Sequence, residues 1–333
     1  MDARVSLALR RAQWPLRGGR AGPVSVDSLA GRLKLTPKRL AEAVDDLARL
    51  GFVIESHPML GLQLVAAPPQ FFAEEIACEL SVQRVGCQVR CTDSTASTND
   101  LAWEWAGRGA GEADGLAVFA EHQSAGRGRR GNRWLSAPHA SILGSVVLWM
   151  PQSPALGALL TRAAAVAVAR AVVDQGEVEI GIKWPNDLVI EDRKVGGILV
   201  EARPARGELG PVVIGIGLNC SQGSEAFPPE IRGGVTSLGM AGLEVDRTLL
   251  ARSLLVRLDE VAAQTTAPGG AAEVQRDASA MCRTLGRRIA VREGETTYSG
   301  EVIGLDPDYG LVLRLAEGGI RRFPAMTAHV VAQ

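Results

Sequence analysis

The sequence predicts an α+β protein in three parts: a small helical unit with a β-hairpin over residues 1–65, a mixed α/β core over 70–283, and a small all-β domain over 284–333. Three observations carry this. Apolar residues recur at helical spacing through 36–50 and are followed by two short extended runs. From about 70 to 276 helical and strand patterns alternate, and beyond 284 only short strand patterns separated by turns remain. A chain of 333 residues that is 46% hydrophobic can bury a sizeable core in more than one domain. Its net charge of −1 excludes a chain-wide polyelectrolyte for nucleic acid, so function must reside in local sites.

The start, Met1-Asp2-Ala3-Arg4, has no apolar signal core. Val26 to Leu33 reads as a short helix capped near Asp27. A second helix follows with Thr36 at its N-cap, Pro37 at its first position and an apolar face of Leu40, Val44, Leu47 and Leu50. Gly51 stops it. Phe52-Val53-Ile54 and Leu62 to Val65 then form a hairpin around Pro58 and Gly61, so the unit resembles a winged helix-turn-helix. It holds ten basic and six acidic residues, a net of +4 that suits DNA. Within the candidate recognition helix, however, Lys38, Arg39 and Arg49 are matched by Glu42, Asp45 and Asp46, and the wing Pro58-Met59-Leu60-Gly61 is apolar. Lys38 and Arg39 are the candidate DNA contacts, and the binding expected of them is weak and salt-sensitive.

Ala66-Ala67-Pro68-Pro69 reads as a linker. In the core, Leu116 to Ala120 and Ile142 to Met150 read as strands on either side of a long loop. Ala155 to Val173 is an alanine-rich helix interrupted by Arg162 and Arg170, hence packed in the protein and not across a membrane. Val178 to Lys183 reads as a strand, Leu188 to Ile190 and Val195 to Val200 as a hairpin, and Pro211 to Asn219 as a further strand. In the last of these Val212, Ile214, Ile216 and Leu218 share one face, and Gly215, Gly217 and Asn219 the other. Such a glycine face is either a bulge or a place where a ligand lies against the sheet, and Asn219 at its end favours the ligand. The tail carries strands at Arg288 to Val291, Tyr298 to Gly304 and Gly310 to Leu315, with turns at Glu293-Gly294 and Pro307-Asp308, the pattern of an SH3-like barrel. Five cysteines without a C-x-x-C pair and four scattered histidines give no zinc site and no disulfide framework.

The loop Gly126-Arg127-Gly128-Arg129-Arg130-Gly131 is the strongest chemical signal. Its guanidiniums pair with oxyanions two bonds at a time, and its glycines let the backbone approach a ligand and adopt positive φ. The spelling satisfies G-x-G-x-x-G, but a strand follows the loop where a dinucleotide fold requires a helix. A second signal is the scarcity of lysine: of 36 basic residues only Lys34, Lys38, Lys183 and Lys194 are lysines. A compact ammonium can reach a phosphate oxygen without fork geometry.

Ser97-Thr98-Asn99 at a helix start, Gln123 before the Gly/Arg loop, Lys183-Trp184-Pro185-Asn186-Asp187, Arg193 to Glu201 with Lys194 and Gly196-Gly197, and Gly215 to Asn219 occur in that order. Together they are similar to the bacterial biotin protein ligases of the bifunctional type, which carry an amino-terminal DNA-binding domain and double as the biotin repressor. The likeness runs from about residue 20 to the carboxyl end. It implies a class II synthetase-like ligase core between a winged helix and an SH3-like domain. It also implies an enzyme that makes biotinyl-5′-AMP from biotin and ATP with Mg2+ and passes biotin to a biotin carboxyl carrier domain.

The resemblance further implies roles for individual residues. Ser97, Thr98 and Gln123 would hydrogen-bond the ureido ring of biotin, with Asn99, Trp134 and Gly197 beside the substrates and Gly215 and Gly217 under the bicyclic ring. Gly126, Arg127, Gly128, Arg129 and Arg130 would close over the adenylate. Lys194 would contact the biotin carboxylate and the α-phosphate, and Lys194 and Arg129 would serve catalysis. Lys183, Asn186 and Asp187 would hold the nucleotide side with magnesium, and Asn219 would face the adenine. Operator DNA, a homodimer, a cytoplasmic location and no membrane partner complete the expectation. Two departures stand out: an earlier Asp93-Ser94-Thr95 competes with the favoured triplet, and Val235 stands where an aromatic is expected beside the adenine. A lipoate ligase, or a regulator that only senses biotin, is the alternative.

Overall fold

The computed structural model describes residues 1–14, 21–153, 155–203, 209–306, 308, 310–325 and 327–331. Its first part holds α1 (Ala3–Gln13), α2 (Val26–Leu33), α3 (Pro37–Arg49), β1 (Val53–His57) and β2 (Gly61–Ala66), the two strands pairing antiparallel. Thr36 caps α3 through its hydroxyl, as the sequence indicates. Helix α1 is an addition to the sequence reading, capped by Asp2. It packs Val5, Ala8 and Leu9 against Leu29, Leu40 and Leu47.

The first part has a hydrophobic cluster of its own and also contacts the core. Arg10 on α1 is buried and pairs through two nitrogens with Glu75, while its third pairs with Asp246 at 2.5 Å. Phe52 stacks on Phe72, with ring centroids 6.0 Å apart. Sequence spacing conceals such contacts because their partners lie 65 and 236 positions away.

The core follows as α4 (Ala73–Ala77), β3 (Gln88–Thr95), α5 (Thr98–Ala106), α6 (Ala110–Ala113), β4 (Leu116–Gln123), β5 (Ser141–Pro151), α7 (Leu156–Val173), β6 (Ile180–Lys183), β7 (Asp187–Ile190), β8 (Arg193–Ala202), β9 (Leu209–Asn219), α8 (Arg247–Thr266) and α9 (Gly270–Ala280). Seven strands form one sheet in the order β3-β4-β5-β9-β8-β7-β6, parallel between β3 and β4 and antiparallel elsewhere. The strand expected over 178–183 is shorter and starts at Ile180. Helix α7 is long and apolar enough to span a membrane by composition, but 72% of it is buried inside the protein. It packs against α8, α9 and the apolar face of the sheet, where Ile214, Ile216 and Leu218 lie. The opposite face carries α5, leaving the glycines of β9 beneath that helix's start.

The last part is a five-stranded antiparallel sheet of β10 (Arg288–Glu293), β11 (Thr296–Leu305), β12 (Leu311–Leu315), β13 (Ile320–Phe323) and β14 (Ala328–Val331), ordered β13-β12-β11-β10-β14. Pro307, half of the turn expected there, lies outside the described residues. All five cysteines are free thiols.

Candidate active site

A cleft of about 160 Å³ opens on the glycine face of the sheet. At one end, Ser97 caps α5 and accepts from Asn99 N at 3.3 Å. The parallel register of β3 and β4 sets Thr95 opposite Gln123, so the α5 start meets the end of β4. Gln123 Oε1 accepts from Thr98 N at 2.6 Å, and the Thr98 hydroxyl lies 3.1 Å from it. The later triplet is therefore the one at the cleft, whereas Asp93 and Ser94 are exposed on the end of β3. Ser145, on β5, touches Thr98 Oγ1 at 2.8 Å and Asn99 Oδ1 at 2.7 Å from below. Among the described residues that line the cleft, two buried donors have no partner, Asn99 Nδ2 and Trp134 Nε1. A native interior pairs nearly all its polar atoms, so unpaired donors at a cleft mark where a ligand would supply acceptors.

The floor is backbone. A Cβ at Gly215 would lie 2.2 Å from Asn99 Oδ1, and one at Gly217 would lie 2.5 Å from the Trp134 ring. Only hydrogen at these two positions allows Asn99 and the indole to rest against the sheet.

The Gly/Arg loop forms the other wall. Gly128 N donates to Asn132 O at 2.7 Å, Trp134 N donates to Gly126 O at 2.9 Å, and Arg127 bridges Arg133. The loop is thus a folded finger. Gly126 is needed for close approach, since a Cβ there would sit 2.8 Å from Trp134 O, and of the three glycines only Gly131 has positive φ. The general expectation of positive φ along the loop is corrected accordingly. Arg130 adopts positive φ instead.

The cations divide by partner. Arg127 forks onto Asp100 with two 2.7 Å bonds and nears Glu201, and this pairing holds the Asp100 carboxyl below the usual carboxylate range. Lys194 lies 2.6 Å from Asp187, which the β7–β8 register sets opposite Gly197. Its backbone carbonyl accepts from Thr236 N, and Val235 bridges it. Arg129 contacts Asn186 Oδ1 and Ala325 O, and among the described residues no carboxylate pairs with it. Burial lowers its pKa, with Arg130 adding repulsion.

Ser97, Thr98, Asn99, Gln123, Arg127, Gly128, Arg129, Trp134, Asn186, Asp187, Lys194, Gly197, Gly215 and Gly217 all line the cleft. Four expected residues do not. Gly126 is buried against Trp134 at the base of the loop, and Arg130 turns away to the carbonyls of Thr327 and Ala328. Lys183 ends the outermost strand, three strand spacings of about 4.8 Å from β9, and faces a groove with Arg283 and Arg287. Asn219 is buried below the cleft, donating to Thr236 O and accepting from Gln222 Nε2, each at 2.9 Å. Sequence reasoning missed Ser145, Asp100 and Glu201. Ser145 carried no local signal, because it is the β5–β9 register that sets it directly opposite Gly215.

The description "Biotin/lipoate A/B protein ligase family" fits residues 91–219. The bifunctional ligase/repressor BirA of Bacillus spizizenii is 30% identical over 277 residues, covering 83% of this chain and 84% of that protein. The biotin–[acetyl-CoA-carboxylase] ligase of Mycobacterium tuberculosis is 34% identical over 66% of this chain and 79% of its own length. A solved biotin protein ligase from Aquifex aeolicus, in complex with biotin and ATP, superposes with a TM-score of 0.62 at 23% identity, over 74% of this chain and 99% of that one. At that identity the likeness is one of fold.

Proposed function

The chain belongs to the biotin/lipoate A/B protein ligase family, as a biotin protein ligase, and from this we propose that it forms biotinyl-5′-AMP from biotin and ATP and transfers biotin to a lysine of a biotin carboxyl carrier domain. One observation carries the reading: a neutral hydrogen-bonding end around Ser97, Thr98 and Gln123 runs directly into a cationic end around Arg127, Arg129 and Lys194. That is the layout for a molecule with a neutral polar ring at one end and a carboxylate at the other.

In the first step a carboxylate oxygen bonds to the α-phosphorus of ATP and pyrophosphate departs with the electrons of the broken P–O bond. Two anions meet, so fixed positive charge lowers the barrier. Arg129, which no carboxylate pairs among the described residues, and Lys194, which can exchange Asp187 for phosphate, supply it. In the second step a lysine amine of the carrier bonds to the acyl carbon, AMP leaves, and the amine loses a proton. The folded Gly/Arg finger limits water access to the mixed anhydride in between.

The donor set fits magnesium brought with ATP. Asp187 is the one carboxylate among the cleft-lining residues and Asn186 stands next to it, and Mg2+ is commonly held by one or two carboxylates plus substrate phosphates. Bound there, it would neutralise phosphate charge.

The first part reads as a winged helix-turn-helix and the last as an SH3-like barrel, and the name ligase/repressor of the Bacillus relative supports a second reading of residues 1–65 as a DNA-binding module. Incubating the protein with ATP, biotin or lipoate, and a carrier domain, then weighing the carrier, tests the main reading. One added biotinyl group is expected; lipoylation with no biotinylation overturns it.

A further inference from the structure

The Gly/Arg finger takes its shape from its own backbone, because the bonds from Gly128 N to Asn132 O and from Trp134 N to Gly126 O close it on itself. Those bonds do not fix where the finger stands. Its arginine side chains do. On one flank Arg130 donates to the carbonyls of Thr327 and Ala328 in the last part of the chain. On the other flank Arg127 gives one terminal nitrogen to each oxygen of Asp100, both at 2.7 Å. Asp100 stands in the first turn of α5, directly after Asn99, so this pair ties the finger to the helix whose start forms the neutral end of the cleft. Glu201, on β8, lies 3.6 Å from the same guanidinium and is itself held by Trp103 Nε1 at 2.9 Å. Both members of the Arg127–Asp100 pair are partly exposed, so dissolved salt reaches it.

We propose that Asp100 is a positioning residue: by fastening Arg127 it holds the finger against α5 and slows escape of the adenylate before the carrier lysine arrives. Most exposed ion pairs contribute little, but a two-bond fork between arginine and carboxylate is the geometry in which they do contribute. The charge of Arg127 is matched by Asp100, which leaves Arg129 and Lys194 to act on the phosphate. The fastening is also reversible, as a gate must be if a carrier lysine is to reach the acyl carbon. The inference rests on the biotin ligase reading and adds to it a residue outside the ordered motifs that sets how long the intermediate is kept.

The test compares Asp100→Gln with Asp100→Glu in the full chain. With Ser97 as N-cap, residue 100 is the third of α5, where Gln and Glu both suit a helix start, so the two variants differ in charge and not in helix capping. Each protein is loaded with biotin and ATP beside pyrophosphatase, and the escape of biotinyl-5′-AMP into solution is followed at low and high NaCl. At low salt escape from Asp100→Gln is expected to be about fivefold faster than from Asp100→Glu, with the gap shrinking at high salt as the remaining pair is screened. Trypsin cleavage after Arg129, mapped by mass spectrometry, reads the same fastening without substrate and should be faster in Asp100→Gln. Equal escape from the two variants at low salt, or equal cleavage, overturns the inference, as does a rise in KM for biotin with no change in escape, the mark of a residue that only supports α5. Should neither variant fold, the unaltered chain decides, since escape indifferent to salt overturns the inference too. Failure of the unaltered chain to form any adenylate overturns the reading beneath it.

Discussion

Lys194 is half-exposed, contacts Asp187 and leans toward the Trp134 ring, so its removal disturbs little packing. Lys194→Ala is expected to slow adenylate formation about a hundredfold, the scale for losing one charge contact made in the transition state, with thermal melting almost unchanged. Pyrophosphate release and a melting curve together check this. Gly217→Ala places a methyl 2.5 Å from the indole of Trp134 and should displace that ring. A rise in KM for biotin of about tenfold is expected from about 1.4 kcal/mol of lost contact, measured beside tryptophan fluorescence. The cysteines give a pH-dependent signature. Burial pushes the Cys91 and Cys220 thiols up to about 12, so both stay protonated and unreactive at mildly alkaline pH, whereas exposed Cys87 should be alkylated by iodoacetamide. Because the pKa values are raised, reactivity at Cys91 and Cys220 should appear only toward strongly alkaline pH. Peptide mass mapping across a pH series reads it out.

At the scale of elements, the buried cation of α1 faces Glu75 on α4 and Asp246, the N-cap of α8. Breaking a buried pair costs more than the pair contributes, because a charge is stranded. Arg10→Met should therefore destabilise the protein by about 3–5 kcal/mol in urea titrations, without changing KM for biotin, since no described residue of 1–65 lines the cleft. Strand β9 shows how much of the site was legible. The alternation of Ile214, Ile216 and Leu218 with Gly215, Gly217 and Asn219 placed two of three residues at the cleft, because the period of a strand is two. Asn219 fell outside, since its amide engages Thr236 and Gln222, and Gln222 lies on the loop beyond the strand.

Across the whole molecule, DNA binding is the function with least support from charge. Arg39 pairs with Glu42 and Arg49 with Asp46 on the exposed surface of α3, and Met59 and Leu60 cap an apolar hairpin tip. Among the described residues Lys38 is the cation of that helix that pairs with no carboxylate, and it is exposed. Gel shifts against the promoter of the biotin operon should show weak binding that fades steeply with salt and has little sequence preference. A biotin-dependent shift that resists salt and competitor DNA would assign residues 1–65 a specific operator.

What the sequence determined by itself were the features written in local order: the cap and apolar face of α3, the strands on both sides of the Gly/Arg loop, the glycine face of β9, and the ordered motifs that mark the family. Periodicity and capping are short-range physics, so a linear reading reaches them. Only the tertiary structure decided which side chains share a volume. It carried Lys183 to an edge strand away from the cleft, turned Arg130 toward the last sheet, joined Arg10 to Glu75 and Asp246, and set Ser145 beneath Asn99. Those outcomes depend on strand order and on register between segments far apart in the chain, and such pairings are selected by packing of the entire fold and not by the residues near each site.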